Sequence, residues 1–180
     1  MTNTLKHARL TYQLALMAAA AGLGAGISAP VLAASASATA TGTVVTPIAI
    51  TAPANLVFGN FAPGGVAGSV TVSTGGVRSA SAAILVGGTT PGAARFDITG
   101  EASATYAITH GGSAVLTSGA NTMALTKVSD FTPGGSSSPS TGTLSPTGAQ
   151  SLYVGGTLAV SATQAPGTYT GSVIATVEYN

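Results

Sequence analysis

The sequence predicts an all-β fold of the sandwich or barrel kind, on three observations. Beyond residue 33, short runs with a two-residue period recur about every 8–12 residues, with Gly or Pro between them. No stretch there carries a 3.6-residue period. Thr and Val, which favour extended backbone, fill the runs.

The first element reads as an export label. Lys6, His7 and Arg9 give a positive start, residues 14–27 form an apolar stretch, and small residues follow Pro30. Residues 1–33 are therefore predicted to be a signal peptide cut after Ala33, with Ala36 or Ala38 as alternative sites. A membrane-spanning helix is the competing reading. The run falls short of the roughly 20 apolar residues a bilayer requires, and Gly22, Gly24 and Gly26 weaken it as a helix, so no stable span is expected after cleavage.

Residues 34–180 suit one domain. Their charges are Arg78, Arg95 and Lys127 against Asp97, Glu101, Asp130 and Glu178. Nucleic acid is excluded as a partner, because its binding needs clustered Lys and Arg on phosphates. Disorder combines low hydrophobicity with high net charge, and this chain has the opposite balance. Cysteine is absent although export leads to an oxidising compartment, so packing and strand hydrogen bonds must hold the domain.

Along the domain, strands are expected at 38–46, 48–58, 68–73, 82–86, 94–99, 104–109, 121–128, 151–154, 157–163 and 168–179. Turns are expected at Pro63-Gly64-Gly65, Gly75-Gly76, Gly87-Gly88, Pro91-Gly92, Gly111-Gly112 and Gly155-Gly156, where Gly tolerates positive φ. The stretch 132–141 lacks apolar anchors and reads as a mobile surface loop. Phe58, Phe61, Phe96, Tyr106, Phe131, Tyr153 and Tyr169 are the candidate core aromatics, with a sugar-binding platform as the sharper alternative for one or two of them.

Both ends of residues 34–180 carry alternation. At the C-terminus Gly167, Tyr169, Gly171, Val173, Ala175, Val177 and Tyr179 alternate with mostly polar residues, predicting a half-buried strand that runs to the end. At the other end Ala38, Ala40, Gly42 and Val44 alternate with Thr39, Thr41 and Thr43, ahead of Pro47. This extension, residues 34–47, either folds back onto its own domain, residues 48–180, or pairs with another subunit. Gly42 suits a close strand crossing, and equally a flexible tail.

Nothing gathers into a catalytic, cofactor-binding or metal site. His110 is the one histidine beyond residue 33 and precedes Gly111-Gly112, which reads as a strand end at a turn. Asp97 and Glu101 flank a predicted turn at Gly100 and read as solvated carboxylates rather than an acid/base pair. An enzyme is not expected.

Tyr179 is next to last and Gly167 is fourteenth from the end, with alternating residues between, and in this the chain resembles the pilins of chaperone-usher pili. It also resembles a set of exported bacterial proteins sharing a pilin-like domain of unknown function. The matching stretches are Phe58-Gly59-Asn60-Phe61-Ala62-Pro63-Gly64, Ala94-Arg95-Phe96-Asp97-Ile98-Thr99-Gly100, Tyr153-Val154-Gly155-Gly156-Thr157-Leu158 and Gln164-Ala165-Pro166-Gly167-Thr168-Tyr169-Thr170-Gly171, leading to Tyr179-Asn180. The resemblance implies an immunoglobulin-like (pilin-like) β-sandwich that is incomplete alone and is completed by strand exchange. It implies like subunits as partners, a periplasmic chaperone and an outer-membrane usher, and passage through the periplasm to the cell surface or a fimbrium. The chain departs from many pilus subunits in having no disulfide. The alternative is a self-contained secreted or cell-surface binding module whose extension pairs within its own sheet.

Overall fold

The computed structural model describes residues 33–180, so the signal-peptide reading of residues 1–32 lies outside the described residues. The chain divides between Gly42 and Thr43. Before the division, residues 33–42 form no strand or bridge; after it, Thr43–Asn180 hold twelve strands and, among the described residues, no helix. No helix there is long and apolar enough to cross a membrane.

The strands are β1 (Ala49–Ala54), β2 (Asn60–Pro63), β3 (Gly68–Val72), β4 (Arg78–Ser81), β5 (Ala83–Val86) and β6 (Ala94–Thr99). They continue with β7 (Thr105–Gly112), β8 (Val115–Ser118), β9 (Asn121–Asp130), β10 (Thr141–Thr143), β11 (Ala149–Val160) and β12 (Val173–Tyr179). The fold is all-β, and every strand pairing is antiparallel. A large sheet follows the order β1-β6-β11-β3-β4, with β9 also on β11 and β8 on β9; smaller sheets are β10-β7-β12 and β2-β5.

The organising strand is β11. Its residues Tyr153 and Val154 pair with β6 and β9 at once, while Gly156 to Leu158 pair with β3 and β9 at once. Hence β6 and β3 share one edge of β11 end to end, with β9 along the other. The predicted turn at Gly155-Gly156 is therefore corrected to the middle of one twelve-residue strand. The glycines answer to crowding rather than to a turn. A Cβ on Gly155 would collide with Val72 O, and the carbonyl carbon of Ser73 and the amide nitrogen of Thr74 lie within 2.8 Å of the same position.

Other expectations shift for local reasons. β6 matches its predicted range, but the strand expected at 168–179 begins only at Val173. Residues 38–46 form no strand, and β1 starts at Ala49. The glycines expected to turn at Gly111-Gly112 are the last two residues of β7, so His110 lies two residues before the strand ends and is still paired, opposite Ala175 of β12. Tyr153 belongs to neither buried cluster, because Leu152 and Val154 take the inward positions of β11.

The stretch 132–141 is not a loose loop. The Asp130 carboxylate accepts from the amides of Thr132 and Ser137, each at 2.8 Å. Buried Thr74 donates its hydroxyl to Gly135 O at 2.6 Å and accepts from Gly134 N at 2.9 Å. The stretch also ends in a strand residue, Thr141 of β10.

Two clusters fill the interior. The first joins Ala94, Phe96 and Ile98 of β6 and Leu152 and Val154 of β11 to Tyr106 and Ile108 of β7 and Ala175 of β12, so the small sheet covers that half of the large one. The second joins Val70 and Val72 of β3, Leu116 of β8, Met123 and Leu125 of β9, and Leu158 and Val160 of β11, with Phe58 from the β1–β2 connection. No strand of the small sheet contributes a buried residue to this second cluster.

Three outcomes follow. Tyr106 is fully buried and its hydroxyl has no hydrogen-bond partner, with the group pushed up to about 12 by burial. Tyr106→Phe should therefore stabilise the protein by about 1 kcal/mol in urea unfolding, the reverse of the usual loss. Gly155→Ala should destabilise it by about 1–3 kcal/mol, because β3 backbone fills the space. The hydrogen bonds from Ser137, and then from Thr132, hold the Asp130 carboxyl at about 2, below its ordinary 3.8. A depressed carboxylate stabilises the fold above its unfolded pKa, and that contribution is lost as pH falls through the folded one. Denaturant midpoints measured across about pH 4 to 2 should drop for the wild type and drop less for Asp130→Asn.

Candidate functional site

The second cluster lies open. A groove of about 710 Å³ reaches Leu116, Met123, Leu125, Leu158 and Val160 from outside, so its floor is the core itself. One wall is the segment from Leu56 to Pro63, and the other runs from Gln164 to Gly171 and Val173.

The first wall is held by backbone and by one cation. Val57 and Gly92 exchange N–H···O bonds of 2.8 and 2.9 Å. The Arg78 guanidinium donates to Phe58 O at 3.1 Å, Asn60 O at 3.0 Å and Val86 O at 3.3 Å. Gly59, at φ 73°, lets the chain pass over that guanidinium, where a Cβ would collide with Arg78 Nη1.

The second wall contains residues expected in the terminal strand, Gly167, Tyr169 and Gly171 among them. Tyr169 donates its hydroxyl to Ala165 O at 2.8 Å and accepts from Gln164 Nε2 at 2.7 Å, which fastens a tight loop onto itself. Thr170 and Thr117 exchange backbone bonds of 2.9 and 3.0 Å. Gly171 lies against Leu116, and Gly167 against the Ser118 hydroxyl. Gly167, Tyr169 and Gly171 thus build the wall of the groove, ahead of the strand proper.

Within β12, Val173, Ala175, Val177 and Tyr179 turn inward as their alternation predicts, and Ile174, Thr176 and Glu178 face out. This strand pairs with β7 along one edge; among the described residues no strand pairs with the other. Its last tyrosine closes a three-membered clasp. The Tyr179 hydroxyl donates to Thr46 O at 2.7 Å and accepts from Glu101 N at 2.6 Å, while Thr46 N donates to Glu101 Oε2 at 2.9 Å. Hydrogen bonding from Thr46 holds the Glu101 carboxyl below its usual value. The start of the domain is therefore fixed at the C-terminal end of β12.

Ahead of the clasp, Ala38, Ala40, Gly42 and Val44 are exposed, Val44 at 99%, and nothing lies within 4 Å of the Cβ position of Gly42. Asp97 and Glu101 are engaged separately. Asp97 pairs with Arg95 at 2.7 Å and accepts from the Ser151 hydroxyl at 2.8 Å. Among the described residues no three His, Asp or Glu side chains gather as metal ligands. Sequence reasoning missed Arg78 and Gln164 as wall supports. The signal for Arg78 was chemical: it is one of three cations beyond residue 33, in a segment of small residues with no acid nearby in sequence.

A family model described as "Domain of unknown function (DUF4402)" matches residues 48–179. No curated protein and no solved structure matches the chain.

Removing the clasp hydroxyl tests its part in fixing the start of the domain. Tyr179→Phe should cost about 1–2 kcal/mol of stability and speed hydrogen exchange at the Thr46 and Glu101 amides. Amides at the centre of β11 should exchange unchanged relative to global unfolding.

Proposed function

The chain belongs to the DUF4402 family, a domain of unknown function, and from the geometry of its groove and termini we propose that it is a structural subunit of a bacterial surface filament, joined to like subunits by donor-strand exchange and serving adhesion or biofilm. The observation that carries this reading is the coincidence of an open apolar groove, a terminal strand paired along one edge, and an unpaired alternating segment in one chain. Sheet edges left without partners invite strand addition, and an extended segment supplies main-chain hydrogen bonds while its alternate side chains fill pockets.

In this reading the domain is an immunoglobulin-like sandwich short of one strand. Two features support it. The first cluster lies between two facing sheets, and the Tyr169 hydroxyl bonds back to the chain four residues upstream just before the last strand, as tyrosine corners do in such sandwiches. The donor is residues 38–46 of a neighbour, with Ala38, Ala40, Gly42 and Val44 turned toward the floor. Burying their few methyl-sized groups contributes on the order of 5 kcal/mol, at roughly 0.8 kcal/mol per carbon. Each added backbone hydrogen bond contributes about 1 kcal/mol more.

The clasp gives this exchange a direction. Thr46 is fixed beside Tyr179, whereas the groove wall meets β12 at Val173, six residues and about 20 Å away along the strand. An arm that leaves at one end and enters a neighbour at the other makes a head-to-tail contact, which propagates into a fibre unless its rotation closes a ring. Before assembly the exposed edge and groove need cover, a task suited to a periplasmic chaperone with an outer-membrane usher receiving the complex. The exported subunit then resides at the cell surface.

The test uses residues 34–180 purified without helper proteins, the same chain lacking 34–46, and a synthetic peptide of residues 34–47. The longer chain should form detergent-resistant ladders on size-exclusion chromatography and gels. The shortened chain should bind the peptide one to one, with a clear rise in melting temperature. A shortened chain that is monomeric, melts cooperatively and gains nothing from the peptide would overturn the proposal.

A further inference from the structure

Away from the groove, the alternation that builds the core breaks in a particular place. On β9 the inward positions run Met123, Leu125, Lys127, Ser129, the last two polar and at least half-buried, and on β7 the same face runs Tyr106, Ile108 and then His110, which is exposed at its rim. Polar residues at positions that strand periodicity assigns to the interior are costly unless each is matched or put to use. Here they gather around a second hollow of about 240 Å³, floored by Val154 of β11 and Val173 of β12.

The chemistry of that hollow is one-sided. Lys127 Nζ donates to Gly111 O at 2.6 Å and Ser113 O at 3.1 Å, both uncharged acceptors. The one ion pair among the described residues is Arg95–Asp97, so this ammonium has no carboxylate within salt-bridge distance. An ammonium has three donors, and two carbonyls leave one over. His110 Nε2 donates to Pro139 O at 2.9 Å, since a carbonyl only accepts, and stands 3.3 Å from the Ser129 hydroxyl. Ser129 is 3% exposed, and its own hydroxyl proton has no acceptor assigned to it by these contacts. Ser138 is held at φ 48°, a backbone region serine rarely adopts, by its amide bond of 2.8 Å to Ser129 O. Strain of that sort persists where surrounding structure over-determines it, often around a ligand.

We propose that this hollow binds a small hydroxylated carboxylate, of the size and kind of a single sugar acid, with the Lys127 ammonium on the carboxylate and Ser129, Ser138 and His110 on its hydroxyls. The volume lies below the range of drug-sized pockets, so the ligand is a single ring or smaller. The apolar floor of Val154 and Val173 suits the C–H face of such a ring. A sugar acid reaches the site free or as the end residue of a polysaccharide, and the chemistry recognised is the same. This inference stands on its own observations and does not depend on the filament reading.

The experiment is a heteronuclear NMR titration of the chain lacking residues 34–46, with the 34–47 peptide present, so that the whole hollow is kept and no arm can polymerise it; the ligands are D-glucuronate, its methyl glycoside as the mimic of a chain end, and D-glucose as the uncharged control. Glucuronate should move the amide signals of Gly111, Lys127 and Ser129 in a saturable way, and glucose should not. Binding of the glycoside at equal strength points to a polysaccharide end, and its failure to free acid, with the site upheld in both cases. Lys127→Gln should weaken glucuronate binding about tenfold or more, the loss expected for one charge-assisted hydrogen bond. Should that variant not fold, the contrast between glucuronate and glucose in the unaltered protein decides. Equal response to both sugars, or no response to glucuronate at millimolar concentrations, would overturn the assignment.

Discussion

The structure depends on one strand being shared three ways. Because β11 pairs with β6 and then β3 along one edge and with β9 along the other, the large sheet must diverge at its middle. Divergence there brings β3 backbone into the place where a side chain on residue 155 would stand. Glycine is thus a condition of the topology. The divergence also splits the interior in two: the half near β6 is covered by β7 and β12, and the half near β3 is left to connecting segments. The groove is the consequence of that division.

A cysteine-free domain with so few charges holds its connections by other means. Arg78 and Lys127, which a protein of ordinary composition would set against carboxylates, are spent on backbone carbonyls. Arg78 binds three carbonyls from the β1–β2 connection, β2 and β5, and Lys127 reaches from the large sheet to the end of β7. Hydrogen bonds to a charged donor contribute more than neutral ones, and here they tie carbonyls of different strands and connections to a single side chain. Asp130 and Thr74 act likewise on the loop after β9, as acceptor and as both donor and acceptor. Charge here serves to fix backbone, and one consequence is an ammonium left without a counter-charge.

How far the sequence reveals this fold follows from what each element relies on. β6 is legible because Ala94, Phe96 and Ile98 face one core between two turns, so period and burial coincide. β4 is not: Arg78–Ser81 has no apolar alternation and becomes a strand through its pairing with β3. β11 is divided by its Gly-Gly pair on paper because a glycine needed for close approach reads the same as one needed for a turn. The anchored loop carries a legible sign in Asp130 ahead of Gly134-Gly135, since an acidic side chain before small residues often bonds amides further on. Of the groove, the floor residues Met123, Leu125, Leu158 and Val160 are visible as alternating apolar positions in β9 and β11, while Leu116 sits in β8, a four-residue strand too short to show a period. Their missing cover is not, because absence of a covering strand is a property of topology rather than of any residue.

The terminal strand shows why its inward face and its free edge have to be considered together. Val173, Ala175, Val177 and Tyr179 supply one side of a core, so β12 cannot be withdrawn without opening the first cluster. Proteins that leave such an edge bare commonly protect it with lysines, proline or a bulge. β12 has none of these: its outward residues are Ile174, Thr176 and Glu178, its register with β7 runs without a break, and no residue of the strand is proline or lysine. An edge so regular, bordered at one end by a groove open to the core and at the other by the clasp that fixes Thr46, is the feature on which the proposed strand exchange rests. In that proposal small alternating residues suit the donor, because a groove whose floor is already Leu116, Met123, Leu125, Leu158 and Val160 would take backbone and methyl groups more readily than bulk.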